Sequence, residues 1–206
     1  RSIYSFCMCP GGYVVNASSE QGCLVTNGMS NNKRDAKNAN SALLVNVNVE
    51  DYYQGDVLDG VSFLRKYESL AYEKYGNFTV PIQLVGDFIN STPSVALGSV
   101  TPTIKPGYKL GSIEDVLPDF VVNTLREGLK VLDTKLHGFA ASDAVMSAIE
   151  TRSSAPVRIK RTSNLSTSIP NVYAAGEGSG YAGGITTSAI DGIKIAMKII
   201  ENCEVN

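Results

Sequence analysis

The sequence predicts a mixed fold of the α/β or α+β kind, and three observations carry that reading. First, two stretches place apolar residues at three- and four-residue steps, as amphipathic helices do. They are Val61, Leu64, Tyr67 or Glu68, Ala71 and Tyr75, then Phe120, Val121, Leu125, Leu129, Leu132 and Leu136. Second, Ala42 to Val49 ends in period-two alternation, the pattern of a half-buried strand. Third, residues 171–196 read as a short buried strand (Val172 to Ala175), a glycine-rich turn (Gly176 to Gly184) and a helix from about Ile185 to Glu201.

In chain order, Ile3 to Met8 has strand character, Pro10-Gly11-Gly12 is a turn signal, and Tyr13 to Val15 starts a second strand. Cys23 to Thr26 is expected to pair with that second strand as a hairpin. Asn27 to Asn40 lacks apolar periodicity and reads as a surface loop. Asp56 or Asp59 is the expected cap of the first helix, and Gly76-Asn77 its left-handed end. Val80 to Val85 reads as a strand, so strand, helix and strand suggest a βαβ unit. Asn90 to Gly111 is a long connector, a functional loop or a lid. Pro118 suits the first position of the second long helix. Ala144 to Thr151 and Val157 to Lys160 are expected strands.

With 206 residues, 43% of them hydrophobic, the chain can form one large domain or two small ones. A net charge of −2 provides no broad basic field for nucleic acid or an anionic membrane. Arg152, Arg158, Lys160 and Arg161 cluster, either on a solvated strand face or as a local anion contact. The expected partners therefore exclude nucleic acid and membrane, and no apolar run is long enough to span a bilayer. Cys7, Cys9, Cys23 and Cys203 lack the spacing of a secreted disulfide scaffold and, with His137 the sole histidine, of a zinc site. The cysteines read as reduced, the compartment as cytoplasmic, and no metal is expected. Cys7 and Cys9 are either small residues packed on one strand face or a thiol at a redox centre. His137, at a helix end, suits the helix dipole.

The chemistry concentrates in the glycine turn. A strand that feeds a helix through glycines leaves unpaired backbone amides at the helix start, where the dipole favours an anion. Gly176, Gly178, Gly180, Gly183 and Gly184 remove side chains that would hold a ligand off the backbone. Glu177 repels a phosphate but can accept hydrogen bonds from a ribose or ribityl hydroxyl. The amides of the Tyr181 to Ile185 region complete the candidate contact, with Tyr181 packing on a ligand or shielding the turn. Arg152 is either a surface charge or a charge contact with cofactor or substrate.

Ala-Ala-Gly-Glu-Gly-Ser-Gly-Tyr-Ala-Gly-Gly-Ile, followed by a helix carrying Ala-Ile-Asp-Gly, resembles the C-terminal flavin motif of two-dinucleotide-fold flavoproteins. Four segments in order are similar to the C-terminal parts of uncharacterised bacterial FAD-dependent dehydrogenases. They are Ser5 to Gly12, Thr26 to Ser30, Glu150 to Ile159 and the glycine turn. The resemblance implies partial FAD/NAD(P)-binding fold pieces with an inserted α+β substrate-type domain. Residues 1–39 would return to the cofactor domain, residues 40–150 would form the inserted domain, and residues 151–206 would supply the strand, glycine turn and helix. It implies FAD as cofactor, a small-molecule substrate, and cofactor contacts at Gly176, Glu177, Gly178, Gly180, Tyr181, Gly183, Gly184, Ile185, Gly11, Gly12 and Arg152.

Members of that family open with a strand, a Gly-x-Gly-x-x-Gly turn and a helix. Here the early glycines, Gly11, Gly12, Gly22 and Gly28, have no following helix. The expectation is a C-terminal fragment of an FAD-dependent oxidoreductase that binds FAD weakly or not at all by itself. The competing expectation is a free-standing ligand-binding or interaction domain that uses the turn for an anion. A flavoprotein acting on tRNA or nucleotides is a third reading, opposed by the mild acidity and the lack of a basic aromatic surface.

Overall fold

The computed structural model describes residues 1–204 and has an α+β fold. The chain divides into two compact units, Arg1–Asp51 with Phe63–Thr151, and Tyr52–Ser62 with Arg152–Asn206. The division falls inside the first long helix, α1 (Asp59–Tyr75).

The first unit contains two sheets. In one, β1 (Ile3–Asn16) lies between β2 (Thr26–Ser30) and β3 (Asn38–Val45), antiparallel to both. A two-residue strand β5 (Ile104–Lys105) then pairs parallel to β1 at Val14 and Val15, beyond the part that β3 occupies. In the other, β4 (Val80–Leu84) is central between β6 (Tyr108–Leu110), parallel, and β7 (Val145–Ser147), antiparallel. Val80, Pro81, Ile82 and Gln83 of β4 are all buried, as expected of a strand covered on both faces. The buried Gln83 amide is satisfied: it donates to the Thr92 carbonyl at 2.7 Å and accepts from the Ile113 N–H at 2.9 Å.

The core gathers Leu24, Ala71 and Tyr75 with Val85 and Phe88 of the short helix α2 (Val85–Ile89), and Val122, Leu125 and Leu129 of α3 (Asp119–Lys135). Ala71, Tyr75, Leu125 and Leu129 are expected stripe positions and face inward, whereas Val122 is not among them and Leu136 lies beyond α3 and is 56% exposed. Gly76 and Asn77 have φ of 76° and 45° and end α1 in the left-handed region. Pro118 stands one position before α3 and not within it; its carbonyl accepts the N–H groups of Val121 and Val122.

Five expectations change. The Pro10-Gly11-Gly12 signal is not a turn between two strands. β3 pairs with β1 from Ile3 to Gly12, across this signal, with register shifts between Phe6 and Cys9 and between Cys9 and Gly12, and β2 pairs with it from Gly12 to Asn16. Cys7 and Gly11 carry the positive φ values, 51° and 52°. The hairpin partner of β1 begins only at Thr26. Cys23, Leu24 and Val25 are buried without forming a strand, and the Leu24 N–H bonds the Glu68 carbonyl. The expected surface loop at 27–40 carries most of β2 and the start of β3. β3, α1 and β4 make no βαβ unit, because β3 and β4 belong to different sheets. The 90–111 connector contributes β5 and β6. His137 follows α3 and is exposed.

Candidate functional site

The second unit is built around one helix, α4 (Ile185–Glu204), and irregular chain leading into it. Its first segment leads into α1. The Asp59 carboxylate accepts the N–H groups of Gln54 and Asp56 at 2.7 and 2.9 Å, and Asp56 accepts that of Leu58 at 2.7 Å. These bonds order the loop before the helix and do not reach the N–H groups of its first turn, so neither aspartate is the side-chain cap the sequence suggests. The amide of Gln54, then that of Asp56, holds the Asp59 carboxyl below the usual carboxylate range.

Residues 172–175 and 157–160 form no strand. The backbone of the second segment binds the turn directly instead: the Ile159 N–H donates to the Ser179 carbonyl at 3.1 Å, and Arg158 Nε donates to the Gly180 carbonyl at 2.9 Å. Glu177–Ser179 is a single 3-10 turn between Gly176 and Gly180.

The turn is fixed from below by an ion pair. Arg161, whose side chain is 5% exposed, donates two bonds to Asp191 of α4, at 2.9 and 2.7 Å. Arg161 also reaches Ser179 Oγ at 3.1 Å, and Ser179 Oγ donates to the Gly176 carbonyl at 2.9 Å. Asp191 in turn accepts the Gly176 N–H at 2.8 Å. The Arg161 guanidinium, and after it the Gly176 amide, pull the Asp191 carboxyl down to about 2. The same pairing raises Arg161 above its ordinary value. The Arg161 guanidinium lies 3.6 Å from the Tyr181 ring centroid, and that of Arg158 lies 5.1 Å from it. Tyr181 is thus packed on the turn's own arginines, which supports the shielding role.

The glycines divide into two groups. Gly176 (φ 71°, ψ −151°) and Gly180 (φ 80°) adopt backbone conformations that other residues resist. A Cβ on Gly180 would also lie 2.6 Å from the Val157 carbonyl oxygen. These two answer a structural demand. Gly178 and Gly183 are different: a Cβ on either would enter open space, and one on Gly184 would meet only the Thr187 hydroxyl at 3.6 Å. Their missing side chains leave bare main chain at the surface.

The helix start has the same character. The first α4 bond runs from Ser188 N–H to the Gly184 carbonyl at 2.9 Å. Thr187 Oγ1 returns to the Gly184 N–H at 3.2 Å, much as the acid of a capping box does. Gly184 offers no side chain to the amides that follow it. Those of Ile185, Thr186 and Thr187 have no partner among the described residues. Beneath them Ser188 Oγ, and beside Asp191 the Arg161 Nε, are buried without a hydrogen bond. The Glu177 carboxylate is half-buried and has no partner among the described residues. Bare amides, an adjacent arginine and an open glycine surface fit an anionic, hydroxylated ligand such as the ribityl diphosphate of a flavin dinucleotide.

The expected residues thus gather at Gly176–Ile185. Arg152 is exposed in the same unit. Gly11 and Gly12 belong to the other unit, inside β1, and have packing reasons of their own. A Cβ on Gly11 would meet the Arg34 carbonyl oxygen at 1.9 Å, and one on Gly12 the Met29 carbonyl oxygen at 2.3 Å. Cys7 is exposed, so it is not half of a buried apolar pair, and none of the four cysteines is disulfide-bonded. In the Glu150 to Ile159 motif, burial pushes the Glu150 carboxyl up, and Thr151 donates to the buried Glu68 at 2.5 Å. The Arg161–Asp191 clamp was not singled out from sequence. Its signals were the basic cluster and the Ala-Ile-Asp-Gly of the helix, which give no hint that residues 30 apart meet. Among the described residues no helix is long and apolar enough to cross a membrane.

Comparison with known proteins gives the context. An uncharacterized protein of Clostridium beijerinckii is 51% identical over 203 residues, a match covering 98% of this chain and 38% of that protein. The chain therefore spans well under half the length of this relative, and the match includes the glycine turn. The family model described as FAD-dependent protein, C-terminal domain-like, matches residues 1–153, which contain all of the first unit and Tyr52–Ser62 of the second and stop before the turn. The chain belongs to the family of FAD-dependent proteins, as a C-terminal domain-like part.

Proposed function

We propose that this chain is the C-terminal part of a longer FAD-dependent oxidoreductase of the dehydrogenase type, and that Gly176–Ile185 receives the ribityl and pyrophosphate portion of the cofactor. The observation that carries this reading is the split among the glycines. Gly176 and Gly180 are required by backbone geometry, whereas Gly178, Gly183 and Gly184 leave open main chain beside the unpartnered amides of α4. In this arrangement Ile185, Thr186 and Thr187 offer N–H donors to phosphate oxygens. Arg158, oriented by the Gly180 carbonyl and the Tyr181 ring, offers charge, and Glu177 accepts from hydroxyls. Arg161 and Asp191 hold the turn in shape. Bound FAD would supply the hydride chemistry. Gly11 and Gly12 are left out of this contact set because backbone carbonyls already fill the space their side chains would take.

The remaining parts of the proposal concern the whole protein. The adenosine-binding unit lies on polypeptide outside this chain, residues 40–150 face a small-molecule substrate, and the protein works in the cytoplasm. The test uses both lengths of polypeptide. The longer protein is expected to purify yellow and release FAD on denaturation, while the 206-residue chain titrated with FAD shows no saturable binding below about millimolar concentration. Gly183→Val in the longer protein should cut FAD retention at least tenfold without changing its circular dichroism. Full retention of FAD by that variant would remove the turn from the cofactor site. Tight stoichiometric binding by the short chain would instead favour a free-standing ligand-binding domain.

A further inference from the structure

The helix α4 has a mixed side that the chain covers and, opposite it, an apolar side that the chain leaves exposed. Ile195, 5% exposed, is its buried large residue, with Ser188, Asp191, Ile199 and Asn202 partly covered on the same side. On the other side Ile190, Ile193, Met197 and Ile200 are 46%, 60%, 58% and 57% exposed. Their spacing of three, four and three residues makes one continuous stripe, widened by the exposed Ala189 and Ala196. An apolar stripe on an amphipathic helix is normally the side that packs against protein. None of the four stripe positions is charged; Asp191 is held by Arg161, Lys198 is paired with Glu201, and Lys194 is exposed beside the stripe.

We propose that this stripe is a docking face for the part of the longer polypeptide that lies outside this chain, and that its partner surface there is uncharged and apolar. Two observations choose this occupant over a second copy of the chain. The relative from Clostridium beijerinckii has most of its length outside the matched 38%, so a large covalently attached body is at hand. A helix of 20 residues is about 30 Å long and about 10 Å wide, so one face offers roughly 300 Å². A stable interface between separate proteins takes roughly 800 Å² from each side. A strip this narrow suits a tethered partner, for which linkage replaces area through effective concentration. The inference does not depend on which ligand the glycine turn receives.

The test is alkylation of Met197→Cys, followed by peptide mass mapping so that Cys7, Cys9, Cys23 and Cys203 are counted separately. In the 206-residue chain the new thiol should react at the rate of an exposed cysteine, independent of protein concentration. In the longer protein it should react at least tenfold more slowly. The double variant Ile193→Glu/Met197→Glu should leave the melting temperature of the short chain unchanged and lower that of the longer protein by several degrees. Equal alkylation rates in the two polypeptides would overturn the proposal. So would protection in the short chain that grows with its concentration, because the occupant would then be a second copy.

Discussion

The two compact units of this chain are held together by different physics. In the first, strand ladders and a shared apolar cluster do the work: Phe88, Leu24, Ile113, Leu129 and Val116 are essentially inaccessible to water. In the second, Ile195 is the one buried large hydrophobic residue among the described residues, and the turn is organised by Arg161, Asp191, Ser179 and backbone amides. A unit whose core closes on itself can be recognised by its buried pattern. A unit held by a polar clamp, with an apolar helix face still open, is shaped to meet something else. The family match covers all of the self-contained unit, takes in Tyr52–Ser62 of the other, and ends before the clamp residues Arg161 and Asp191.

The largest expected effect attacks the first kind of stabilisation. Phe88→Ala removes a ring with no exposed surface, and core Phe→Ala changes cost about 3 to 5 kcal/mol through lost burial and the cavity left behind. Urea denaturation followed by circular dichroism should show the midpoint falling accordingly. Hydrogen exchange should accelerate first in the peptides containing β4, α2 and α3. If exchange rose equally in residues 176–192, the contrast between the units would be wrong.

Asp191→Asn attacks the second kind. It leaves a guanidinium that is 5% exposed without its counter-charge, a change that costs about 3 kcal/mol or more when a buried pair is broken from one side. Hydrogen exchange should rise across residues 176–192 and Tyr181 should lose its fixed environment, while the β4 peptides keep their protection. The corresponding Arg161→Met change, which removes the buried charge itself, should cost less than Asp191→Asn. The reverse order would mean that packing on Tyr181 outweighs the ion pair.

The same carboxylate gives a pH dependence of known sign. Asp191 titrates at about 2 in the folded protein, against about 3.9 when unfolded. A depressed carboxyl stabilises the fold above its unfolded value, and that contribution, roughly 2 kcal/mol, disappears as pH falls from about 4 towards 2. Exchange in residues 176–192 should therefore rise on acidification through this window, ahead of the first unit's core. Glu150 acts in the opposite sense: burial raises its pKa, so its ionisation opposes folding as pH rises through the carboxylate range.

How much of this was legible follows from the same contrast. The helices α1, α3 and α4 were visible because a 3.6-residue apolar period and local caps are encoded within one stretch. The left-handed end at Gly76 and Asn77 is of that kind. β1 was read as two strands because Pro10-Gly11-Gly12 has turn chemistry, yet β3, some 30 residues on, pairs across that signal through two register shifts and β2 takes over at Gly12. Val157 to Lys160 and Val172 to Ala175 have strand-like composition, but the Ile159 amide goes to the Ser179 carbonyl and not into a ladder. The glycine turn was legible as the lead into α4. Its clamp was not, because no local pattern announces that Arg161 will meet Asp191 through a bidentate contact.

The smallest effects separate the glycines and so test the division on which the site rests. Gly180→Ala places a Cβ 2.6 Å from the Val157 carbonyl oxygen at a φ of 80°, and strain of this kind costs about 1 to 3 kcal/mol. Gly183→Ala places one in open space, and an exposed change of that sort stays within about 0.5 kcal/mol. Denaturation of the 206-residue chain measures both. A Gly183 that proved as intolerant as Gly180 would mean that the whole turn is glycine-rich for its own folding. A silent Gly183→Ala, combined with loss of FAD when the larger Gly183→Val is placed in the longer protein, would locate the need for bare backbone in the ligand.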